Sequence, residues 1–482
     1  MRPEPNRWLV LVIVCVAQFM VILDATVVNV ALPSIQKDLG FSYSSLQWIV
    51  NGYTLVFGGF LLLGGRASDL LGRQRLFIAG VVIFTVASAI NGVANSSNLL
   101  IAGRALQGLG GALVSPAALS IVTTTFEEGR DRTRALGVWS AIAAGGAAVG
   151  LVLGGVLTEY LSWRWVFFVN LPVGVIATLL ALRFVPNSRP EERPATYDAA
   201  GAVTITAGLL VLVYAIVKAQ TYGWGSAKTI GLFAVAVVLH VVFVLIELRS
   251  KAPLVRLGIF RMRSLTGSNG AMLMVASGLF AMFYFASLYL QQILFYKPVK
   301  AGLAFVPFSL GIVVGAGLSQ ALIKKIGVRA VTFIGMAMGV AGLLYFARLP
   351  VHGTYVKDVL PTIAVVSVGM GLTFVPLTLL ATTNVAAEDA GLASGILNTS
   401  QQVGGALGLA ILSTLAASRT SHLLNHGVTS VAVRASAQTS GFHVAFAVGA
   451  AFLAAAAIVL AVTVRKGDAE AIDAGHVTMP AA

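Results

Sequence analysis

Gly65-Arg66-Ala67-Ser68-Asp69-Leu70-Leu71-Gly72-Arg73-Gln74-Arg75 is a short charged stretch between two apolar runs, and it has a degenerate echo from Gly317 through Lys324-Lys325-Ile326-Gly327-Val328-Arg329. A helix needs about 20 mostly apolar residues to cross a bilayer. Working outward from the two stretches, fourteen such runs can be read, centred near residues 20, 55, 85, 110, 146, 174, 208, 238, 280, 312, 339, 370, 406 and 452. The first stretch then joins the second and third runs, and its echo joins the tenth and eleventh. A second echo links the fifth run, with Gly137, Gly145, Gly146 and Gly150, to the thirteenth, with Gly395, Gly404, Gly405 and Gly408. Both pairs lie eight runs apart. That offset predicts an all-α polytopic membrane protein with 14 transmembrane helices in a 6+2+6 arrangement. Two parallel six-helix bundles of this kind hold a transported substrate between them. The expected boundaries are 1–185 for the N-terminal bundle, 186–265 for the two extra helices and their linkers, 266–466 for the C-terminal bundle and 467–482 for a cytoplasmic tail.

Composition agrees. Of 482 residues, 57% are hydrophobic and 10% charged, and the mean hydropathy is +0.89; a soluble fold of this length has nowhere to bury so much apolar surface. A net charge of +14 would suggest nucleic acid in a soluble protein, but here the cations sit in short loops. The side holding both termini carries 21 Lys and Arg, the other side carries 10, and Arg104 lies within a run. The positive-inside bias places both termini in the cytoplasm, in a multi-pass protein of the cell (inner) membrane. Arg2 and Arg7 before an apolar run from Trp8 to Leu32 imitate a secretory signal. The run's length of about 25 residues and Asp24 within it favour an uncleaved first span. Cys15 is the single cysteine, so no intramolecular disulfide or thiol cluster can form. Three linkers are long. Residues 184–198 contain Pro186, Pro190 and Pro194; residues 249–267, with Arg249, Lys251, Arg256, Arg261 and Arg263, are expected to hold an amphipathic surface segment; residues 418–440 form a Ser/Thr/Ala-rich outer stretch. The tail after Lys466 is expected to be disordered.

Asp24, in Leu23-Asp24-Ala25-Thr26-Val27-Val28-Asn29-Val30-Ala31-Leu32-Pro33, is the one acid deep in a run. An ionisable group at that depth is costly and is a functional candidate. Burial favours the protonated form of a carboxyl and a nearby cation the ionised form, so a carboxyl whose surroundings change can carry a proton. The alternative is an acid held permanently by a packing partner. Arg104, in Arg104-Ala105-Leu106-Gln107-Gly108-Leu109-Gly110-Gly111, is the expected partner. At 1.5 Å per residue, Asp24 lies about 6 Å and Arg104 about 9 Å below the outer face. Arg104 would then compete with the proton for the carboxylate; snorkelling to the headgroups is its alternative. Gly146, Gly150 and Gly154, with Gly145 and Gly155 beside them, make a smooth stripe for close helix packing, which would seal a path for leaking protons. The ninth run is rich in Met272, Met274, Met282, Phe280, Phe283, Tyr284, Phe285 and Tyr289 and ends at Gln291-Gln292. Adaptable Met and flat aromatic faces suit a promiscuous pocket, with Phe280, Phe283, Tyr284, Tyr289 and Gln291 as substrate-binding candidates; lipid-facing residues give the same composition. No phosphate-binding loop, nucleophile elbow or zinc motif is present. His240 has no acid or Cys at ligand spacing and reads as structural. An enzyme is not expected, and neither a cofactor nor a metal.

Four motifs carry a strong resemblance to the fourteen-span drug/proton antiporters of the major facilitator superfamily, and it covers nearly the whole chain. They are Leu23-Asp24 to Pro33, Gly65 to Arg75, Arg104 to Gly111, and Trp163-Arg164-Trp165-Val166-Phe167-Phe168-Val169-Asn170-Leu171-Pro172. The resemblance implies alternating access by rocking of two bundles, with Asp24 as the proton-coupling acid and Arg104 as its modulator. Asp69, Gly72 and Arg73 match the family's cytoplasmic gating motif. It also implies a commonly monomeric multidrug efflux protein that exports small lipophilic or cationic compounds, antibiotics among them, driven by the proton gradient. The chain departs from the family where Gly150-Leu151 stands in place of Gly-Pro, which leaves the direction of exchange open. Its tenth run lacks an acid, which points to monovalent, zwitterionic or neutral substrates. The alternatives are a proton symporter importing a metabolite, and a membrane sensor or lipid-interacting protein that transports nothing.

Overall fold

The computed structural model describes residues 6–126, 129–186, 198–250, 253–382, 385, 389–424 and 430–464, without the side chains of residues 43, 44, 69, 70, 133, 140, 141, 143, 144, 220 and 390. The long helices are α1 (Arg7–Leu39), α2 (Trp48–Leu71), α3 (Arg73–Gly92), α4 (Ser97–Thr125), α5 (Arg130–Tyr160), α6 (Asn170–Phe184), α7 (Ala199–Tyr222), α8 (Ala227–Arg249), α9 (Arg263–Leu288), α10 (Val306–Ile326), α11 (Val328–Phe346), α12 (Leu360–Thr382), α13 (Ala390–Leu424) and α14 (Val431–Thr463). Among the described residues, 13 helices are long and apolar enough to cross a membrane; α5 is not one of them, its apolar stretch being Gly145–Tyr160. This is a multi-pass membrane protein. Nearly all faces of α8 are apolar, yet Val237 and Leu248 are 62% and 67% exposed, which a lipid solvent permits.

Side-chain caps and single glycines set the helix ends. The side chains of Asn6, Ser96, Asp198, Ser226 and Ser430 accept from amides in the first turns of α1, α4, α7, α8 and α14, satisfying donors that have no intrahelical partner. Gly72 alone separates α2 from α3, at φ 95°, and Gly327 alone separates α10 from α11, at φ 82°. Only glycine adopts that φ without steric cost, so both echoed stretches turn in the same way. Two residues after each glycine a side chain crosses to another helix end. Gln74 Nε2 donates to the Ala181 carbonyl of α6 at 3.0 Å, and Arg329 Nη2 to the Ala461 carbonyl of α14 at 3.0 Å.

Packing partners repeat at an offset of eight helices. In the first half α2 packs on α4, α3 on α4 and α6, and α1 on α5 and α6; in the second half α10 packs on α12, α11 on α12 and α14, and α9 on α13 and α14. Contacts between the halves exchange under the same offset, with α2 on α13 and α5 on α10. Helices α7 and α8 pack on each other, and α7 rests on α2 and α13.

Three linker expectations change or fall outside the description. Residues 187–197 of the first linker and the tail from 465 lie outside the described residues. The segment after α8 forms a strap with a single 3₁₀ turn, Leu257–Arg261, not a separate surface helix. Its Leu254, Val255 and Ile259 are buried against Ala202, Leu265, Ala393 and Ile396, so protein packing takes up its apolar side. The stretch 418–440 is mostly helix, running through the ends of α13 and α14, because Arg419 Nε donates to Ser440 Oγ and Thr420 Oγ1 to the Ala437 carbonyl.

Candidate functional site

Asp24 sits in mid-α1 with no solvent exposure, and its carboxylate receives donors from three directions. Arg104 Nη1 of α4 forms an ion pair with Oδ2. Gln107 Nε2, one turn further along α4, donates to Oδ1 at 2.6 Å. Asn170 Nδ2, opening α6, donates to the same oxygen at 3.0 Å. Every polar contact to the carboxyl thus comes from a donor, the pattern of an ionised acceptor-only group. Ser88 Oγ of α3 accepts from Gln107 and Asn170 and donates to the Phe84 carbonyl, which joins four helices of the first half in one network.

Arg104 is 1% exposed and is not held by Asp24 alone. Its Nε donates to the Ile49 carbonyl at 3.0 Å and its Nη1 to Gln107 Oε1 at 2.8 Å. The guanidinium lies 4.4 Å from the Tyr53 ring centroid, within cation–π range. Snorkelling is therefore ruled out as its reading. If Asp24 takes up a proton, these contacts keep the guanidinium solvated by protein.

At the C-terminal end of α1, Asp38 Oδ2 accepts from Trp163 Nε1 at 2.9 Å and from Arg164 Nη1 at 2.8 Å. Arg164 Nη2 also donates to the Ala94 carbonyl. The Trp163-Arg164 motif therefore ties α1 and the α3–α4 turn to the start of α6, and so fixes where Asn170 stands.

Pro33 gives this end a further role. Lacking an N–H, it leaves the Asn29 carbonyl of α1 without its intrahelical donor. Ser287 Oγ of α9, in the other half, donates to that carbonyl at 2.9 Å. Gln291 Nε2 donates to the Val30 carbonyl at 3.0 Å and Gln292 Nε2 to Gln36 Oε1 at 2.9 Å. These contacts lie where α9 continues as a wider π turn, Tyr289–Ile293.

The glycine stripe of α5 lies along α1. A Cβ on Gly146 would stand 3.1 Å from Ile22 Cγ2, one on Gly150 3.0 Å from the Leu23 carbonyl oxygen, and one on Gly154 2.7 Å from the Val27 carbonyl oxygen. The stripe thus covers the face of α1 on either side of Asp24. Gly155 instead faces the second half, at the Pro298 carbonyl.

The five substrate-binding candidates do not gather around one space. Phe280 packs against Gly405, and Phe283 meets Phe305 and Phe308 at 5.6 and 4.5 Å between centroids. Tyr284 and Tyr289 are buried, which removes the lipid-facing alternative for both, and Tyr289 Oη donates to the Pro350 carbonyl at 2.6 Å. Gln291 is engaged with α1 as described. A cleft of about 390 Å³ opens between the end of α5 and the α9–α10 connection, lined by residues that include Glu159, Tyr296 and Lys300 and none of the five. At the glycine turn, Arg73 is half-buried at the start of α3, while the side chain of Asp69 lies outside the described residues. His240 Nδ1 lies 2.7 Å from the Ala236 carbonyl of its own helix, and Cys15 is buried and free. Among the described residues no cluster of three or more potential metal ligands occurs.

Residues 14–409 match the profile of the Major Facilitator Superfamily. The chain belongs to that superfamily. It is a secondary transporter, not an enzyme. This superfamily member is 42% identical to the puromycin resistance protein pur8 of Streptomyces alboniger over 94% of this chain and 91% of that one. It is 41% identical to the cephamycin export protein CmcT of Amycolatopsis lactamdurans over 85% of each. Among solved structures, a bacterial homolog of the human lysosomal transporter Spinster matches with a TM-score of 0.68 at 16% identity, covering 96% of this chain and 97% of that one; that likeness shows the shared fold.

Sequence reasoning found Asp24 and Arg104 and missed Gln107, Asn170, Ser88 and Tyr53. Gln107 stands three residues after Arg104, one helical turn on the same face, and Asn170 lies within the Trp163–Pro172 motif. Those positions were the available signal.

Proposed function

We propose that this transporter exports small lipophilic or cationic compounds, antibiotics among them, across the cell membrane in exchange for protons, with Asp24 as the proton carrier. The observation that carries the coupling is the buried carboxylate of Asp24, met by Arg104, Gln107 and Asn170. The names of the relatives, a puromycin resistance protein and a cephamycin export protein, support export as the direction and antibiotics as the substrate class. Arg104 holds Asp24 ionised until the site opens to solvent; a proton then replaces the guanidinium, which falls back on Ile49, Gln107 and Tyr53. Substrate occupies the space between the halves in the alternate conformation. Proton and substrate need not meet, because each only has to prefer a different state of one bistable molecule.

The same reading takes α1–α14 as 14 spans in a 6+2+6 plan, divided at 1–185, 186–265 and 266–466, with both termini cytoplasmic and the protein monomeric. The eight-helix offset of packing partners supports it. Asp69, Gly72 and Arg73 act as the cytoplasmic gate, with Gly72 as the hinge. The glycines facing α1 keep water from Asp24.

Proteoliposomes holding a pH-sensitive dye test the reading. With a proton gradient imposed, a panel of lipophilic monovalent cations and puromycin should trigger proton movement in the wild type and none in Asp24→Asn. Movement that persists in Asp24→Asn removes Asp24 from the proposal. Accumulation on the acidified side's opposite face, in the sense of uptake with protons, identifies a symporter.

A further inference from the structure

Where α7 and α8 meet the strap, two carboxyl groups are buried together. Asp198 caps α7, its Oδ1 accepting from the Gly201 amide at 2.6 Å. Glu247 stands in the last turn of α8, its Oε2 accepting from the Val255 amide of the strap at 3.2 Å. They are 7% and 4% exposed. Their other oxygens, Asp198 Oδ2 and Glu247 Oε1, are buried and have no hydrogen-bond partner. Both lie 3.0 Å from the point a Cβ would occupy on Gly201. The two free oxygens thus face one small space that a glycine leaves open; Ala202 follows that glycine and Val255 bonds Glu247, and both belong to one buried apolar cluster with Leu254 and Ile259.

Among the described residues, the charged groups at this end of the packed elements are Arg66 on α2, Arg249 on α8, Arg256 and Arg261 in the strap, Arg263 on α9 and Asp389 before α13. Arg249, Arg261 and Arg263 are exposed, Arg66 is half-buried with a buried Nε that bonds to nothing, and Arg256 pairs with Asp389 at 3.1 Å. Among the described residues none makes an ion pair with Asp198 or Glu247. Two ionised carboxylates so placed repel one another without compensation. A calcium-like cation would want about six oxygen ligands, which apolar walls do not supply. The two oxygens, each 3.0 Å from one point, are near enough for a side-chain rotation to close them on one proton, which converts the repulsion into an O–H···O⁻ hydrogen bond in which the pair titrates as a unit.

We propose that Asp198 and Glu247 form a second proton-binding site, holding one proton between Oδ2 and Oε1 and thereby clasping the strap to α7 and α8. The strap runs directly into α9 and rests on α13 at Ala393 and Ile396. Just beyond, Gly395 of α13 packs on Leu62 of α2 in the other half. Loss of the proton drives the carboxylates apart, frees the Val255 amide and loosens the strap beside that contact. The site stands on its own geometry, whether or not Asp24 carries the transport proton.

Infrared spectroscopy on the full-length protein in lipid nanodiscs tests it, comparing the wild type with Asp198→Asn and Glu247→Gln. At neutral pH the wild type should show a protonated-carboxyl band component that each substitution removes, since a single carboxylate beside an amide needs no proton. Hydrogen exchange at the Val255 amide, corrected for the intrinsic pH dependence, should accelerate about tenfold as that component titrates away and stay flat in Asp198→Asn. If one variant fails to fold, the other and the pH titration of the wild type give the same readout. A band unchanged by both substitutions overturns the proposal, as does the absence of a band. So does Val255 protection that follows added sodium or potassium instead of pH.

Discussion

Asp24 and Arg104 are each buried at a depth where neither charge is tolerable alone, which sets the outcome of removing one. Asp24→Asn leaves the Arg104 guanidinium with only its neutral partners Ile49, Gln107 and Tyr53, a loss of about 3–5 kcal/mol for a broken buried pair. The double variant Asp24→Asn/Arg104→Gln removes both charges and should unfold at a higher temperature than Asp24→Asn in detergent melting curves, while remaining inactive in proton exchange. A double variant no more stable than the single one would show that the neutral partners Ile49, Gln107 and Tyr53 offset the whole cost of burying the Arg104 charge without Asp24. Asn170→Ala withdraws a donor from the carboxylate and from Ser88 and should cost about 1.5–3 kcal/mol, the range for hydrogen bonds to a charged group; the melting curve reads it directly. Two of these residues were legible in the sequence because a charge inside an apolar run is costly and calls for a partner or a route to water. Their neutral partners were less legible: the three-residue spacing puts Gln107 on the face of Arg104, but a Gln, Asn or Ser costs too little in such a run to demand a role.

Helix α5 lies on α1 because its glycines have no side chains to separate the backbones. Gly154→Ala puts a methyl against the Val27 carbonyl, where only a backbone shift can relieve the overlap, at about 1–3 kcal/mol. Gly145→Ala, with nothing within 4 Å of its Cβ position, should melt with the wild type. Equal losses for both would mean that the stripe does not set the helix spacing. The sequence showed this stripe and the turns at Gly72 and Gly327 because glycine costs a helix entropy, and its recurrence at four-residue spacing or between charged residues signals closeness or a left-handed φ that repays it. It hid the strap, whose period is too short to tell packing on protein from packing on lipid. It also hid the length of α13 and α14, since Ser and Thr that read as loop formers instead bond the preceding helical carbonyls, as Thr420 does with Ala416 and Thr439 with Ala435.

At the Asp38 end of α1 the two halves are joined by three neutral hydrogen bonds, beside one from the Val299 amide to the Glu159 carboxylate on α5, and the modest strength of the three suits a joint that opens in the proposed cycle. Each is worth about 0.5–1.5 kcal/mol. Ser287 to the Asn29 carbonyl, Gln291 to Val30 and Gln292 to Gln36 together hold the contact without fixing it. Pro33 is the residue that makes the first of them available, since any other residue there would bring an N–H to the Asn29 carbonyl. Ser287→Ala/Gln291→Ala should therefore shift the equilibrium between closed and open by about 1–3 kcal/mol, roughly five- to 150-fold, toward separation at this end. Spin labels at Tyr160 and Val356, exposed positions in the first and second halves, would report it as a growing long-distance population in pulsed electron resonance. Pro33→Ala should move the same distribution in the same direction, because the restored N–H competes with Ser287 for one carbonyl. Distance distributions unchanged in both variants would show that the joint is held by the packing of α5 against the Pro298 segment instead, and that the proline serves α1 alone.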